Sequence, residues 1–171
     1  PKVCANLGDA YLFKNQLPQA ANWYRRALFL VDSLCLPKKE NVTLYLGLAT
    51  IYLQLNDFDT SLAYYKQTQA YFDQMSVGMQ AYFLNNYGNF YYYKQDYTAS
   101  LAKFEELKRL LEKHQMEQNF DMYLCKLNMA DVYLNLGKIA LSEKYLGEVE
   151  PYMAVHGDEI AIYYCNTIRI G

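Results

Sequence analysis

The sequence predicts an all-α protein built from repeated pairs of antiparallel helices. Residues 84–107 contain two apolar stripes with helical spacing, and a short polar break, Lys94-Gln95-Asp96, separates them. The same spacing of small, aromatic and apolar residues returns three more times in the 171 residues. A unit of this kind leaves its ends apolar, so we expect the repeats to stack on one another.

Six positions define the repeat. After an initial small residue, a large side chain follows at plus 3, an apolar one at plus 9, a small one at plus 12 and a large one at plus 16. Position plus 19 is apolar in three repeats and Thr68 in the second. The initial small residues of the four repeats are Gly8, Ala49, Gly88 and Ala130. In the third repeat we expect Gly88 and Ser100 to allow a close approach of the two helices, with Phe104 filling the space beside them.

This spacing resembles the tetratricopeptide repeat (TPR), and the resemblance covers nearly the whole chain. It implies a right-handed superhelical solenoid of antiparallel helix pairs with a concave groove. The proline that is usual near the end of the second helix is not at its usual place, since only Pro37 and Pro151 come near it. The period is about 40 residues against roughly 34 in the common form. We interpret the additional residues as longer helices. Long-period repeats of this kind are similar to those of bacterial signalling regulators and of cargo- or peptide-binding scaffolds.

We expect residues 1–171 to form a single solenoid segment. The repeats are predicted at about 1–37, 41–76, 79–116 and 118–155, with a partial fifth repeat at 158–171. The predicted helices are 3–14, 18–36, 42–55, 59–75, 79–94, 97–114, 118–136, 139–154 and 159–171. Pro18 suits the first turn of its helix, Asp57 or Asp59 could cap the second helix of the second pair, and Gly78 is expected at a left-handed junction. Because the chain opens within the pattern, we expect it to be a fragment of a longer protein.

Composition argues against several classes of partner. The net charge is −2, with 16 basic and 18 acidic residues, so no overall field favours nucleic acid or an anionic membrane. No apolar run reaches the length of a membrane span, and no signal peptide is recognised. The four cysteines lie in no CxxC pair and at no zinc spacing, which predicts no metal site and fits buried thiols in a reducing, cytoplasmic compartment.

The sequence also contains no recognisable catalytic arrangement. It has no glycine-rich phosphate loop, no HExxH or GxSxG motif and no plausible cysteine–histidine pair. The two histidines, His114 and His156, occupy equivalent positions at repeat junctions, which explains their spacing better than catalysis does. We therefore expect no enzymatic activity and no cofactor.

Asparagine recurs two residues before the small position, and this recurrence identifies the candidate binding residues. The resemblance implies that the first helix of each pair lines the groove, and residues at plus 3 and plus 7 share the face of the asparagine. The predicted lining comprises Asn6, Asp9, Phe13, Gly47, Thr50, Gln54, Asn86, Asn89, Tyr93, Asn128, Asp131, Asn135, Asn166 and Arg169. Because an amide both donates and accepts hydrogen bonds, such a series could pair with the backbone of an extended peptide. The alternative is that these asparagines only bond to adjacent helices or solvate the groove.

The third repeat carries the most such residues, and we expect a binding hot spot there. Its residues on or beside the groove face are Tyr82, Asn85, Asn86, Asn89, Tyr92 and Tyr93. A clamp for the carboxylate tail of a chaperone is disfavoured, because only Lys126 and Arg169 are cationic nearby.

The predicted function is therefore that of a scaffold that binds a protein or peptide in its groove. The first alternative is a sensor segment of a bacterial signalling or transcription regulator. The second is a structural spacer or a surface for self-association, for example a homo-oligomer formed through exposed solenoid ends.

Overall fold

The computed structural model describes residues 1–37 and 41–156 together with residues 166 and 168. Over these residues the chain is helical, including a short 3-10 helix at Phe72–Gln74, and has no strand, which confirms the all-α fold. The α-helices are α1 (Lys2–Phe13), α2 (Leu17–Ser33), α3 (Val42–Gln54), α4 (Phe58–Gln69), α5 (Val77–Tyr93), α6 (Tyr97–Lys113), α7 (Phe120–Asn135) and α8 (Ile139–His156). They form two compact units: the first, Pro1–Ser76, contains α1 to α4, and the second begins at Val77 and contains α5 to α8.

One type of turn closes all four helix pairs. Its first residue has a positive φ, between 55° and 72°, in the left-handed region that helix ends commonly use. The next backbone N–H donates to the carbonyl of the plus 3 tyrosine of the same repeat, at 2.8 to 2.9 Å. The residues with positive φ are Asn15, Asn56, Gln95 and Gly137, and the acceptor tyrosines are Tyr11, Tyr52, Tyr91 and Tyr133. The repeat register inferred from spacing therefore recurs in the hydrogen bonds of the backbone.

Tyr24 occupies the centre of the first unit. A Cβ atom on Gly8 of α1 would lie 2.7 Å from Cδ1 of Tyr24, and one on Gly47 of α3 would lie 2.9 Å from Cε2. The ring therefore rests against backbone from two helices. The Tyr24 hydroxyl donates a hydrogen bond to the Asp9 carboxylate, which fixes the outer end of the side chain.

Phe104 has the corresponding position in the second unit. It is fully buried on α6, and a Cβ atom on Gly88 of α5 would lie only 2.5 Å from its Cε1. Beside this contact the buried Ser100 hydroxyl donates to the Gly88 carbonyl at 2.9 Å, as Ser61 does to Ala49 in the first unit at 2.7 Å. The small residues thus permit a close approach of the two helices of a pair, and the serine hydroxyls form hydrogen bonds from one helix to the other.

Two helices end several residues earlier than predicted, whereas the other early ends differ by a single residue. Helix α2 stops at Ser33 instead of residue 36, because Cys35 adopts a positive φ and because a residue before proline, here Leu36, disfavours helical backbone. Helix α4 stops at Gln69 instead of residue 75, and the chain continues into the 3-10 helix. Apolar residues continue past Gln69, so periodicity could not separate these two helix types.

Gly78 does not form the predicted left-handed junction, since it lies inside α5 with an ordinary helical φ. Glycine adopts negative φ as readily as positive φ, and a first turn tolerates it. Other predictions agree: Pro18 lies in the first turn of α2, and Asp57 caps α4 by accepting from the Thr60 N–H at 3.1 Å.

The interpretation of the long period as longer helices is right in one repeat and wrong in another. Helices α5 and α6 have 17 residues each, whereas α4 has only 12 and the additional residues of its repeat form the junction after it. Of the predicted helix 159–171, the described residues Asn166 and Ile168 are helical, and Ile168 packs into the core of the second unit. The rest of that helix lies outside the described residues.

Replacing Gly88 with alanine should lower the free energy of unfolding by about 1–3 kcal/mol, because the added methyl overlaps the buried Phe104 ring. Gly147→Ala is the matched control. Gly147 lies within α8 with open space around its Cα, so alanine there should stabilise the protein by roughly 0.5–1 kcal/mol. Urea unfolding followed by circular dichroism measures both. Equal effects of the two substitutions would contradict the close approach at Gly88.

Candidate functional site

Helices α5 and α7 contact each other in the second unit, and their polar and aromatic side chains share one face. On α5 these side chains recur every three or four residues, which is the spacing of a single helix face. At two of these places both of two adjacent residues are included, Asn85 with Asn86 and Tyr92 with Tyr93. We call the α5–α7 face the surface formed by Tyr82, Asn85, Asn86, Asn89, Tyr92, Tyr93, Asn128, Asp131 and Asn135. These are the nine residues that the sequence placed on or beside the groove face in these two helices.

A pair of asparagines joins the two helices at the centre of the face. The Asn128 amide nitrogen donates to the Asn85 amide oxygen at 2.9 Å. This bond uses one polar atom of each side chain. The amide nitrogen of Asn85 and the amide oxygen of Asn128 make no further side-chain hydrogen bond to the residues that the structure describes. Each asparagine therefore retains one polar atom for another molecule.

Asn135 uses both its amide nitrogen and its amide oxygen in hydrogen bonds. Its amide nitrogen lies 2.9 Å from the Asp131 carbonyl oxygen, 3.1 Å from the Asp131 carboxylate and 3.3 Å from the Tyr92 hydroxyl oxygen. Its amide oxygen accepts from the Tyr97 hydroxyl of α6 at 3.2 Å. The contacts of Asn135 thus hold side chains of α5, α6 and α7 in fixed positions.

Tyr92 belongs to this network through its hydroxyl oxygen, which accepts from the Asn135 amide, and the Asp131 carboxylate lies nearby. Burial raises the pKa of Tyr92 well above its ordinary value, and the adjacent Asp131 carboxylate raises it further. The hydroxyl therefore keeps its proton at neutral pH. The hydrogen bond from the Asn135 amide, at 3.3 Å, orients the Tyr92 ring at the edge of the face.

A pocket of about 220 Å³ lies between α5 and α7 next to this network. It is lined by Asn89, Tyr92, Tyr93, Phe104, Asn128 and Asp131. Phe104 comes from α6, so the ring that packs against Gly88 also forms part of the pocket wall. The Asp131 side chain is largely enclosed, since the residue is only 8% exposed.

The remaining residues of the face differ in how far they are engaged. Asn86 donates to the Tyr82 carbonyl at 2.7 Å within α5, whereas Asn89 makes no side-chain hydrogen bond to any described residue. Tyr82 is 55% exposed and Tyr93 is 63% exposed. Both rings therefore offer area for contact with another molecule.

The residues predicted to bind in the first unit differ from one another in exposure and in hydrogen bonding. Asp9 accepts a hydrogen bond from Tyr24, and Thr50 donates to the Leu46 carbonyl at 3.0 Å. Asn6 and Gln54 are exposed, and Phe13 is 94% exposed at the last residue of α1. Asn166 is helical and exposed, and Arg169 lies outside the described residues.

Two contributors to the site were assigned to the helix core by the sequence. Phe104 and Tyr97 occupy apolar positions of the repeat, and nothing in the spacing indicates that one lines a pocket and the other reaches Asn135. Among the described residues no group of three histidine, cysteine or acidic side chains could hold a metal ion. In the same part of the chain no helix combines the length and apolarity needed to cross a membrane.

Comparison with known proteins identifies the repeat. Residues 3–33 and 42–68 each match a tetratricopeptide repeat profile. No curated protein matches the chain.

Solved structures with the same fold include BtubC (BKLC) from P. vanneervenii, with a TM-score of 0.77 and 21% identity over 90% of this chain. This chain covers 63% of that one. Two further structures are of Podosopora anserina kinesin light chain nearly identical TPR-like repeats. One, a single-substitution variant, has a TM-score of 0.74 and 13% identity, covering 88% of this chain and 73% of that one. The other has a TM-score of 0.76 and 11% identity, covering 98% and 84%.

The raised pKa of Tyr92 predicts a specific dependence of stability on pH. Below pH 10 the tyrosine is protonated in the folded and unfolded chains alike. Above pH 10 the unfolded chain releases this proton while the folded chain retains it, so the free energy of unfolding falls as pH rises. Tyr92→Phe removes this contribution, and its free energy of unfolding should fall less steeply between pH 9 and 11 than that of the wild type.

Urea unfolding at a series of pH values measures these slopes. The control is Tyr82→Phe, which removes an exposed hydroxyl from the same helix outside the network and should behave as the wild type does. If Tyr92→Phe and wild type have the same slope, folding does not raise the pKa of Tyr92, and the account of its burial beside Asp131 is wrong.

Proposed function

We propose that this chain, a tetratricopeptide repeat protein, is a binding module that holds an extended segment of a partner protein on its α5–α7 face. Tetratricopeptide repeats generally mediate protein–protein interactions. The chain spans 63% of the length of BtubC, and the binding proposed here is that of this unit.

The observation that carries the proposal is the set of unused amide atoms on the face. The Asn85 amide nitrogen, the Asn128 amide oxygen and the whole Asn89 amide are available among the described residues. A peptide backbone presents a donor and an acceptor at every non-proline residue, so such amides can bind it whatever its side chains are.

The spacing of these groups suits an extended peptide. Asn85 and Asn89 are one helical turn apart, which places them about 6 Å apart along α5 at about 1.5 Å per residue. Alternate residues of an extended chain are about 6.6 Å apart. A peptide that runs along α5 would therefore present equivalent backbone groups to the two asparagines.

The tyrosines of the face supply contact area. Tyr82 and Tyr93 are exposed, and the Tyr92 ring is already held in place by a hydrogen bond from Asn135. Tyrosine covers a large area at small cost in conformational entropy, and a ring that is already immobilised costs less still. We therefore expect the tyrosine rings to supply most of the affinity and the asparagine amides to fix the register of the peptide backbone.

A double substitution, Asn89→Ala with Tyr93→Ala, tests the proposal directly. Both side chains line the pocket and neither donates or accepts a hydrogen bond within the described residues, so the fold should be retained. Binding to an array of random dodecapeptides should fall by about 10-fold or more, as expected for the loss of a central aromatic contact.

Asn22→Ala is the control. Asn22 is exposed on α2 of the first unit, where it accepts a hydrogen bond from Arg25, and its loss should leave peptide binding unchanged. Matched circular dichroism spectra and urea midpoints establish that the variants are folded. Undiminished binding by the folded double variant would rule out this face.

A further inference from the structure

We propose that Tyr97 of α6 is a positioning residue for the α5–α7 face: it holds the Tyr92 ring in the orientation that a bound peptide meets, and it does so without touching the peptide. This inference rests on the proposed function of that face. The proposed function assigns the peptide contacts to α5 and α7. The inference adds a contribution from α6, a helix that supplies no residue to the face.

Tyr92, Tyr97 and Asn135 form a closed triangle in which each side chain contacts the other two. The Tyr97 hydroxyl donates to the Asn135 amide oxygen at 3.2 Å, and the Asn135 amide nitrogen donates to the Tyr92 hydroxyl oxygen at 3.3 Å. The third contact is between rings, since the centroids of Tyr92 and Tyr97 are 5.7 Å apart with an interplanar angle of 62°. Aromatic pairs prefer such edge-to-face arrangements. The Tyr92 side chain is therefore held both at its hydroxyl and at its ring.

The backbone that carries Tyr97 is itself anchored. Tyr97 is the first residue of α6, and the preceding Asp96 caps this helix by accepting from the Ala99 N–H at 3.1 Å. The Asp96 N–H donates to the Tyr91 carbonyl at 2.9 Å, which joins the start of α6 to the end of α5. Tyr97 thus acts on Tyr92 from a fixed position.

The Tyr97 hydroxyl also sets the orientation of the Asn135 amide. It donates to the Asn135 amide oxygen, and no second donor reaches that oxygen among the described residues. An amide needs a donor for its oxygen and acceptors for its nitrogen. Without the Tyr97 hydroxyl the oxygen has no protein donor, so Asn135 can turn toward solvent and release the Tyr92 hydroxyl.

Tyr92 brings this restraint to the binding surface. Its ring lines the pocket between α5 and α7, whereas Tyr97 does not line it. The exposed Tyr93 ring packs edge to face on Tyr92, with centroids 5.7 Å apart and an interplanar angle of 84°. A ligand does not have to order a side chain that is already held, and ordering one side chain costs about 2- to 10-fold in affinity.

The test compares Tyr97→Phe with the wild type by calorimetric titration of a dodecapeptide selected from the random array. The variant keeps the ring and loses only the hydroxyl, so the fold should be retained. Its affinity should fall by about 3-fold or more, with a less favourable binding entropy. Tyr91→Phe is the matched control. It removes a hydroxyl that is hydrogen-bonded to the Tyr87 hydroxyl at 3.2 Å, outside the triangle, and should keep the wild-type affinity.

A double-mutant cycle separates positioning from direct contact. Because Tyr97 acts through Asn135, adding Tyr97→Phe to Asn135→Ala should weaken binding no further. Independent, additive effects would show that Tyr97 contacts the peptide itself, which would overturn the inference.

Nuclear magnetic resonance provides a readout without peptide. The three-bond Hα–Hβ couplings of Tyr92 should report a single χ1 rotamer in the wild type and in Tyr91→Phe. In Tyr97→Phe they should report an average over rotamers. A change of overall stability alone would not produce this difference.

The outcomes separate this inference from the proposed function. Unchanged peptide affinity in folded Tyr97→Phe, or a single Tyr92 rotamer retained in it, would overturn the inference and leave the proposed function standing. Failure of the folded wild type to bind any peptide would overturn both. If Tyr97→Phe does not fold, the Tyr92 couplings of Asn135→Ala decide, and a single rotamer retained there would overturn the inference.

Discussion

The contact between Gly88 and the Phe104 ring is the constraint on which the second unit depends. It brings the α5 backbone so close to α6 that no side chain fits between them. The first unit uses the same device, with Tyr24 packed against Gly8 and Gly47. Because interiors are close-packed, such a contact fixes the separation of the helices that it joins. In the second unit it also fixes the pocket, since Phe104 forms part of the pocket wall.

The α5–α7 face divides its polar groups between two tasks. Asn135 and Tyr92 are used within the protein, where they connect three helices and hold the Asp131 carboxylate. Asn85 and Asn128 each use one amide atom in the hydrogen bond between them. Asn89 makes no side-chain hydrogen bond among the described residues. A surface built in this way is rigid before a ligand arrives, which lowers the entropic cost of binding. The alternative that the asparagines serve only to join helices therefore applies well to Asn135 and poorly to Asn89.

Periodicity was sufficient to predict the helix pairs, the turns between them and the loading of α5 with tyrosine and asparagine. It could not predict which amides pair across helices, because Asn85 and Asn128 are 43 residues apart and spacing along one helix carries no information about partners on another. The end of α4 was misplaced because apolar residues continue into a 3-10 helix. Phe104 was predicted as a core residue, and its second role in the pocket depends on the relative placement of α5 and α7, which spacing does not specify.

The central claim is that a peptide lies on the α5–α7 face, and site-specific photocrosslinking tests it most directly. The photoreactive residue p-benzoylphenylalanine is placed at position 82 on this face or, for comparison, in place of the exposed Arg109 on α6. Each protein is irradiated with a biotinylated peptide selected from the random array. The account predicts a crosslink from position 82 that excess unlabelled peptide abolishes, and none from position 109. A crosslink from position 109 alone would show that the peptide binds elsewhere and would contradict the account.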